Sequence, residues 1–220
     1  MAIKVKICGI TLYKDALFAS QAGADMLGFN FFKRSPRYID PNIAQEICDR
    51  LRDELGDKCP VLVGIFANAT DSDISLITNQ VGLDAAQLSG DESDEMIAEL
   101  RGLGFKAIQP MNKAMAIEDV KYYSSQFPSN EQFPSIVLDA YHPSLKGGTG
   151  EQASTDVALA VKELVPRLML AGGLKPNNVA ERISEIQPWG VDVASGVEPE
   201  GQPGKKSQEL ISAFIQAVKG

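Results

Sequence analysis

Histidine is almost absent from this chain, and cysteine is scarce: one of the first and three of the second in 220 residues. With His142 alone and no His/Asp/Glu cluster, a metal site is not expected. Cys8, Cys48 and Cys59 are odd in number and widely spaced, which fits neither a disulfide framework nor a metal-ligand pattern. No stretch approaches the ~20 consecutive apolar residues of a membrane-spanning helix. The opening MAIKVKICGIT also lacks the apolar core of a signal peptide. A reduced, cytoplasmic setting without a membrane partner is the expectation. Positive charge is in deficit, with 21 Lys and Arg against 29 Asp and Glu and a net charge of −8. No basic block stands out, so a nucleic-acid partner is not expected. An anionic ligand would have to be held by local dipoles rather than by the overall field.

What the chain does have is regular alternation. Short β-rich runs recur at roughly 25-residue intervals, each followed by a helical pattern. The strand candidates are Ile3–Ile7, Met26–Phe31, Val61–Phe66, Ala85–Leu88, Lys106–Gln109, Ser135–Leu138, Leu168–Leu170 and Val191–Val193. Helical stretches include Ile43–Leu55, Asp73–Val81, Ser93–Leu103, Ala114–Tyr123, Thr155–Leu164, Asn178–Ile186 and Ser207–Val218. In the last, Leu210, Ile211, Phe214, Ile215 and Val218 form one apolar stripe. Strand-then-helix units require parallel pairing with right-handed crossovers. Eight of them favour an α/β fold closed as a single (β/α)₈ barrel over residues 1–220, since open doubly wound sheets usually have fewer strands. The segment Phe127–Pro134, polar and bounded by proline, reads as a tolerated surface loop on the bottom face.

In such a barrel the chemistry lies at the C-terminal ends of the strands. The seventh strand runs into Ala171-Gly172-Gly173 and the eighth into Ala194-Ser195-Gly196-Val197-Glu198. Two glycine-rich turns at adjacent strand ends, with a short extra helix, suit a phosphate held by backbone N–H groups; the same glycines could simply permit tight turns. Cys8 ends the first strand. It is either a small buried hydrophobe or a base, and a base needs its thiolate stabilised. A helix starting at Gly9-Ile10-Thr11 could supply that through its dipole. Asp139 follows Ile136-Val137-Leu138, as a turn former or as a partly desolvated carboxyl able to act as general acid. Between it and the sixth helix runs the glycine-rich Gly147-Gly148-Thr149-Gly150, a candidate cover, with His142 as a loop residue. Arg37, in a Ser-Pro-Arg-Tyr turn after strand two, is a surface arginine or a ligand for a substrate carboxylate through paired hydrogen bonds.

Taken together these residues resemble the phosphoribosylanthranilate isomerases of tryptophan biosynthesis. The likeness spans nearly the whole chain, from Lys6-Ile7-Cys8-Gly9-Ile10-Thr11 and Ser35-Pro36-Arg37-Tyr38-Ile39 through Leu138-Asp139 to Val191–Glu198. It implies an Amadori rearrangement of the aldose–ketose type, run without a cofactor on a phosphorylated small molecule, by a monomer or homodimer. By position, Asp139 is the implied general acid and Cys8 the implied base. Arg37 is the implied carboxylate ligand, and Gly172, Gly173, Ser195 and Gly196 the implied phosphate holders. Two positions depart from the family pattern: Ser89 replaces a histidine, and Ala153-Ser154-Thr155-Asp156 replaces an aromatic-containing stretch. Rival readings are a phosphate-binding barrel without turnover, a phosphosugar isomerase of histidine synthesis, and the indole-forming synthase. That synthase needs an acid–base lysine inside the barrel, where the rim offers Cys8 and Asp139.

Overall fold

The computed structural model describes residues 2–139 and 154–220. Eight parallel strands close in chain order into a barrel: β1 (Lys4–Cys8), β2 (Met26–Asn30), β3 (Val61–Phe66), β4 (Ala85–Leu88), β5 (Gly104–Ile108), β6 (Ile136–Leu138), β7 (Leu168–Leu170) and β8 (Gly190–Val193). The surrounding helices are α1 (Tyr13–Ala22), α2 (Pro41–Leu55), α3 (Asp71–Val81), α4 (Asp94–Glu99), α5 (Lys113–Tyr123), α6 (Thr155–Lys162), α7 (Val179–Ile186) and α8 (Gln208–Lys219). The expected barrel is therefore the observed one. Every expected strand is present, with no end displaced by more than two residues.

Helix starts follow local chemistry. Asp40, Thr70, Ser93, Asn112, Ser154 and Ser207 each accept a backbone N–H of the turn they open. Such caps satisfy donors that no helix can satisfy internally. The strands then sort their side chains by alternation. Leu27, Phe29, Leu62, Phe66, Leu138 and Leu170 belong to the outer core under the helices, whereas Met26, Val63, Ala85, Phe105, Val137 and Met169 fill the barrel.

One expectation is corrected at the bottom face. Phe133, within the supposed surface loop, is buried and packs with the inner cluster beside Trp189. Arg167 fixes the segment by donating from Nε to the Phe133 carbonyl at 2.7 Å and from its guanidinium to the Pro128 carbonyl. A single phenylalanine between polar residues has no periodicity, so its role as a plug left no pattern to read. His142 and Gly147–Gly150 lie outside the described residues.

Candidate active site

A cavity of about 670 Å³ opens at the C-terminal ends of the strands. Cys8, Arg37, Asp139, Gly172, Gly173 and Ser195 line it, each from a different strand end except the glycine pair. The topology brings them together because the barrel places every strand end on one rim. Gly196 is not among the lining residues. A Cβ there would lie 1.9 Å from the Leu174 carbonyl oxygen, so Gly196 lets the turn after β8 pack directly on the turn after β7.

Cys8 is buried on the inner face of β1, over Gly28, where an added Cβ would come within 2.9 Å of its Sγ. The expected helix dipole is not there. The N–H groups of Gly9 and Ile10 both bond the Gly28 carbonyl at 2.9 Å, and α1 begins only at Tyr13. Burial is the largest influence on the thiol and pushes it above the ordinary cysteine range. Lys6 opposes that most strongly, Asp192 adds to it, and Lys206 and Arg37 oppose it.

The barrel also holds a lysine that the rim-based reading passed over. Lys6, 0% exposed, donates to Asp192 Oδ2 at 2.8 Å and to Gln87 Oε1 at 2.7 Å. Burial alone would lower its basicity, but Asp192 and Cys8 hold the ammonium above its usual range. Gln87 is turned by its own second bond, from Nε2 to Ser89 Oγ at 3.1 Å. Alternation along the KVKIC strand would have placed Lys6 and Cys8 on one face. A lysine is so rarely buried unpaired that the partner was the missing clue, and it lies 186 residues away.

Asp139 continues the β6 ladder, its N–H bonding the Ile108 carbonyl at 3.0 Å. Its Oδ2 accepts from Gln109 Nε2 at 3.0 Å, which orients the carboxyl at the cavity wall. Arg37 is not a free surface arginine. Its Nε and Nη2 bond Glu198 Oε1 and Oε2 at 2.8 and 2.7 Å. Glu198 Oε1 also accepts from Lys206 Nζ at 2.8 Å and from the Gly204 N–H at 3.1 Å. The side edge of the guanidinium is thereby committed, and what remains for a ligand is its end, the Nη1 and second Nη2 hydrogens.

The turn after β7 leaves two backbone N–H groups at the cavity wall. Gly172 and Gly173 have φ of 84° and 60°, and their N–H groups bond no acceptor among the described residues. Asn178 braces the turn from below, donating Nδ2 to the Gly173 carbonyl at 2.9 Å. The short extra helix is a 3₁₀ turn at Ser195–Val197. No group of three or more His, Cys, Asp or Glu residues that could hold a metal occurs among the described residues.

A closed parallel barrel with one cavity at the C-terminal ends of its strands is the layout of a (β/α)₈-barrel enzyme. The family model for N-(5′-phosphoribosyl)anthranilate isomerase matches residues 5–217. The isomerase of that name from Citrifermentans bemidjiense is 40% identical over 218 residues, covering 98% of this chain and 97% of the relative. Among solved structures, monomers of the dimeric phosphoribosylanthranilate isomerase from Thermotoga maritima superpose with a TM-score of 0.81 at 34% identity, with 99% of each chain covered. An isomerase in complex with reduced 1-(o-carboxyphenylamino)-1-deoxyribulose 5-phosphate gives 0.81 at 34% identity, again over 99% of each chain. The chain belongs to the N-(5′-phosphoribosyl)anthranilate isomerase family, and its reaction is that isomerisation in tryptophan biosynthesis.

Proposed function

We propose that Asp139 and Cys8 are the acid and base of this isomerisation. The observation that carries the reading is their shared cavity: a carboxyl and a thiol reach it from β6 and β1, with the glycine turn after β7 on the same wall. Asp139 gives a proton to the furanose ring oxygen, and the C1–O bond opens to a protonated Schiff base. The thiolate of Cys8 then removes the proton from C2. The C–H electron pair becomes the C1–C2 double bond of an enolamine, and the nitrogen takes up the former imine pair. Tautomerisation of the enol gives the ketone, and no cofactor is required.

Gly172 and Gly173 offer N–H groups to the phosphate, with Ser195 beside them and Gly196 closing the turn-to-turn contact. Arg37 takes the anthranilate carboxylate on the end of its guanidinium. The ligand is a phosphorylated small molecule, and the chain acts as one cytoplasmic domain, a monomer or a homodimer. The test is turnover by purified Cys8→Ala and Asp139→Asn chains, followed through loss of anthranilate-type fluorescence. Each is expected to lose at least 100-fold in kcat while keeping its circular dichroism, on the order of what one general acid or base supplies. Full activity in both would overturn the assignment.

A further inference from the structure

We propose that Lys6 is a positioning residue for the proton transfer at Cys8: its buried ammonium, fixed by Asp192 and Gln87, is the counter-charge that stabilises the Cys8 thiolate. The inference rests on the reading of Cys8 as the base.

Strand alternation puts Lys6 and Cys8 on the same inner face of β1, two residues apart. Cys8 lines the cavity and Lys6 does not, so the ammonium lies beneath the floor, where no solvent reaches it. An ammonium has three donors. One goes to Asp192, whose Cα is the direct cross-strand partner of Lys6, and one to Gln87. The Gln87 amide presents its oxygen to Lys6, which can only donate, and donates from its nitrogen to Ser89 Oγ. Among the described residues no hydrogen bond reaches the Cys8 sulfur; the ammonium acts on it through its charge, from the same inner face of the strand.

Charges acting on Cys8 include Lys6 on β1, Asp192 on β8, Lys206 beyond β8 and Arg37 beyond β2, and Asp139 after β6 lines the same cavity. Arg37 and Lys206 share one carboxylate, Glu198, and Arg37 already has a role in ligand binding. Lys6 has no contact with the cavity and no opening to water, so its charge is always directed at the same two groups. Buried at that spot, a thiol is a strong base but a rare one. A fixed cation below it raises the share of thiolate without placing a competing donor in the cavity.

The experiment is iodoacetamide labelling of Cys8 against pH in the full chain, read by mass spectrometry of the Cys8 peptide, for wild type, Lys6→Met and Asp192→Asn. The acid limb of kcat/KM is recorded alongside. Lys6→Met is expected to move the Cys8 titration upward by about 1–3 pH units, so that labelling at a fixed lower pH slows by about 10- to 1,000-fold. Asp192→Asn is expected to move it downward, because a negative neighbour has been removed and Lys6 freed. The kcat/KM limb follows in both. An unchanged titration in Lys6→Met, or an upward one in Asp192→Asn, overturns the proposal. If Lys6→Met does not fold, Lys6→Gln takes its place, and an unchanged Cys8 titration there overturns the proposal equally. Full turnover by Cys8→Ala would remove the base reading alone, since labelling reports the Lys6–Cys8 coupling without any turnover.

Discussion

Arg37 and Glu198 meet as a two-bond fork, Nε to Oε1 at 2.8 Å and Nη2 to Oε2 at 2.7 Å, across 161 residues of chain. The arginine reaches the fork by lying over Gly9, where an added Cβ would come within 2.5 Å of its Cδ. One carboxylate thus sets the direction of the guanidinium at the cavity mouth, and Lys206 sets the carboxylate.

With Arg37 as the proposed ligand of the substrate carboxylate, Glu198→Gln tests how much of that affinity is orientation. The amide keeps the shape but removes the charge between two cations. KM is expected to rise about tenfold, equivalent to about 1.4 kcal/mol, with kcat changing less. Breaking a buried, hydrogen-bonded ion pair should also lower stability by about 3–5 kcal/mol, measurable by urea unfolding. Unchanged KM would show that Arg37 orients itself without Glu198.

The same carboxylate makes a pH prediction. Burial alone would raise the Glu198 carboxyl, but the bonds from Arg37 and Lys206 outweigh it and hold the group below the ordinary range. Its contribution is then fully present above the unfolded value of about 4.3, and is lost as pH falls through the lower folded value. Urea midpoints of wild type and Glu198→Gln should converge on acidification below about pH 4.3 and stay apart above it. A constant gap across that window would remove Glu198 as a source of acid sensitivity.

How much of this was legible in the sequence differs by distance along the chain. Local patterns were readable: strands, helices, and the glycine turn at Gly172-Gly173, because each is set by residues close together in the chain. Cys8, Asp139 and Arg37 could be placed at strand ends for the same reason. What they touch could not. Lys6 pairs with Asp192 and Arg37 with Glu198 only after the barrel closes β8 onto β1, and no spacing encodes that closure. The helix dipole assigned to Cys8 failed because Gly9, with φ of 76°, turns the chain before α1 can start. Phe133 was hidden for a related reason, as a single side chain filling a space that eight strands create together.

The other two cysteines should differ sharply from each other. Cys48 is enclosed by α2 packing, and burial pushes its thiol up to about 12. Cys59 is half-buried, and burial raises it too, but it keeps some access to solvent. At about pH 8 the Cys48 thiolate is on the order of one part in 10⁴, whereas reactivity requires both thiolate and access. Iodoacetamide on the native chain should label Cys59 readily and leave Cys48 unlabelled until urea is added. Labelling of Cys48 at a rate equal to that of Cys59 would mean that α2 opens far more often than its packing suggests.

Gly196→Ala probes whether the phosphate wall depends on two turns touching. The added methyl would lie 1.9 Å from the Leu174 carbonyl oxygen and 3.0 Å from Val193 Cγ2, and neither a backbone carbonyl nor a strand-end valine can move away cheaply. The turn after β8 must then lift off the turn after β7, carrying Ser195 away from Gly172 and Gly173. Overpacking of this kind costs about 1–3 kcal/mol in stability. If the displaced wall holds the ligand's phosphate as proposed, KM for substrate rises as well. Gly102→Ala is the control: its φ of 85° makes alanine strained, but nothing lies within 4 Å of the new methyl and the cavity is not involved. That variant should lose about 1 kcal/mol in urea unfolding and keep its KM. Inorganic phosphate, titrated as a competitive inhibitor, separates the two effects. Its inhibition should weaken several-fold in Gly196→Ala and be unchanged in Gly102→Ala, and equal inhibition in both would mean that the phosphate is held elsewhere on the rim.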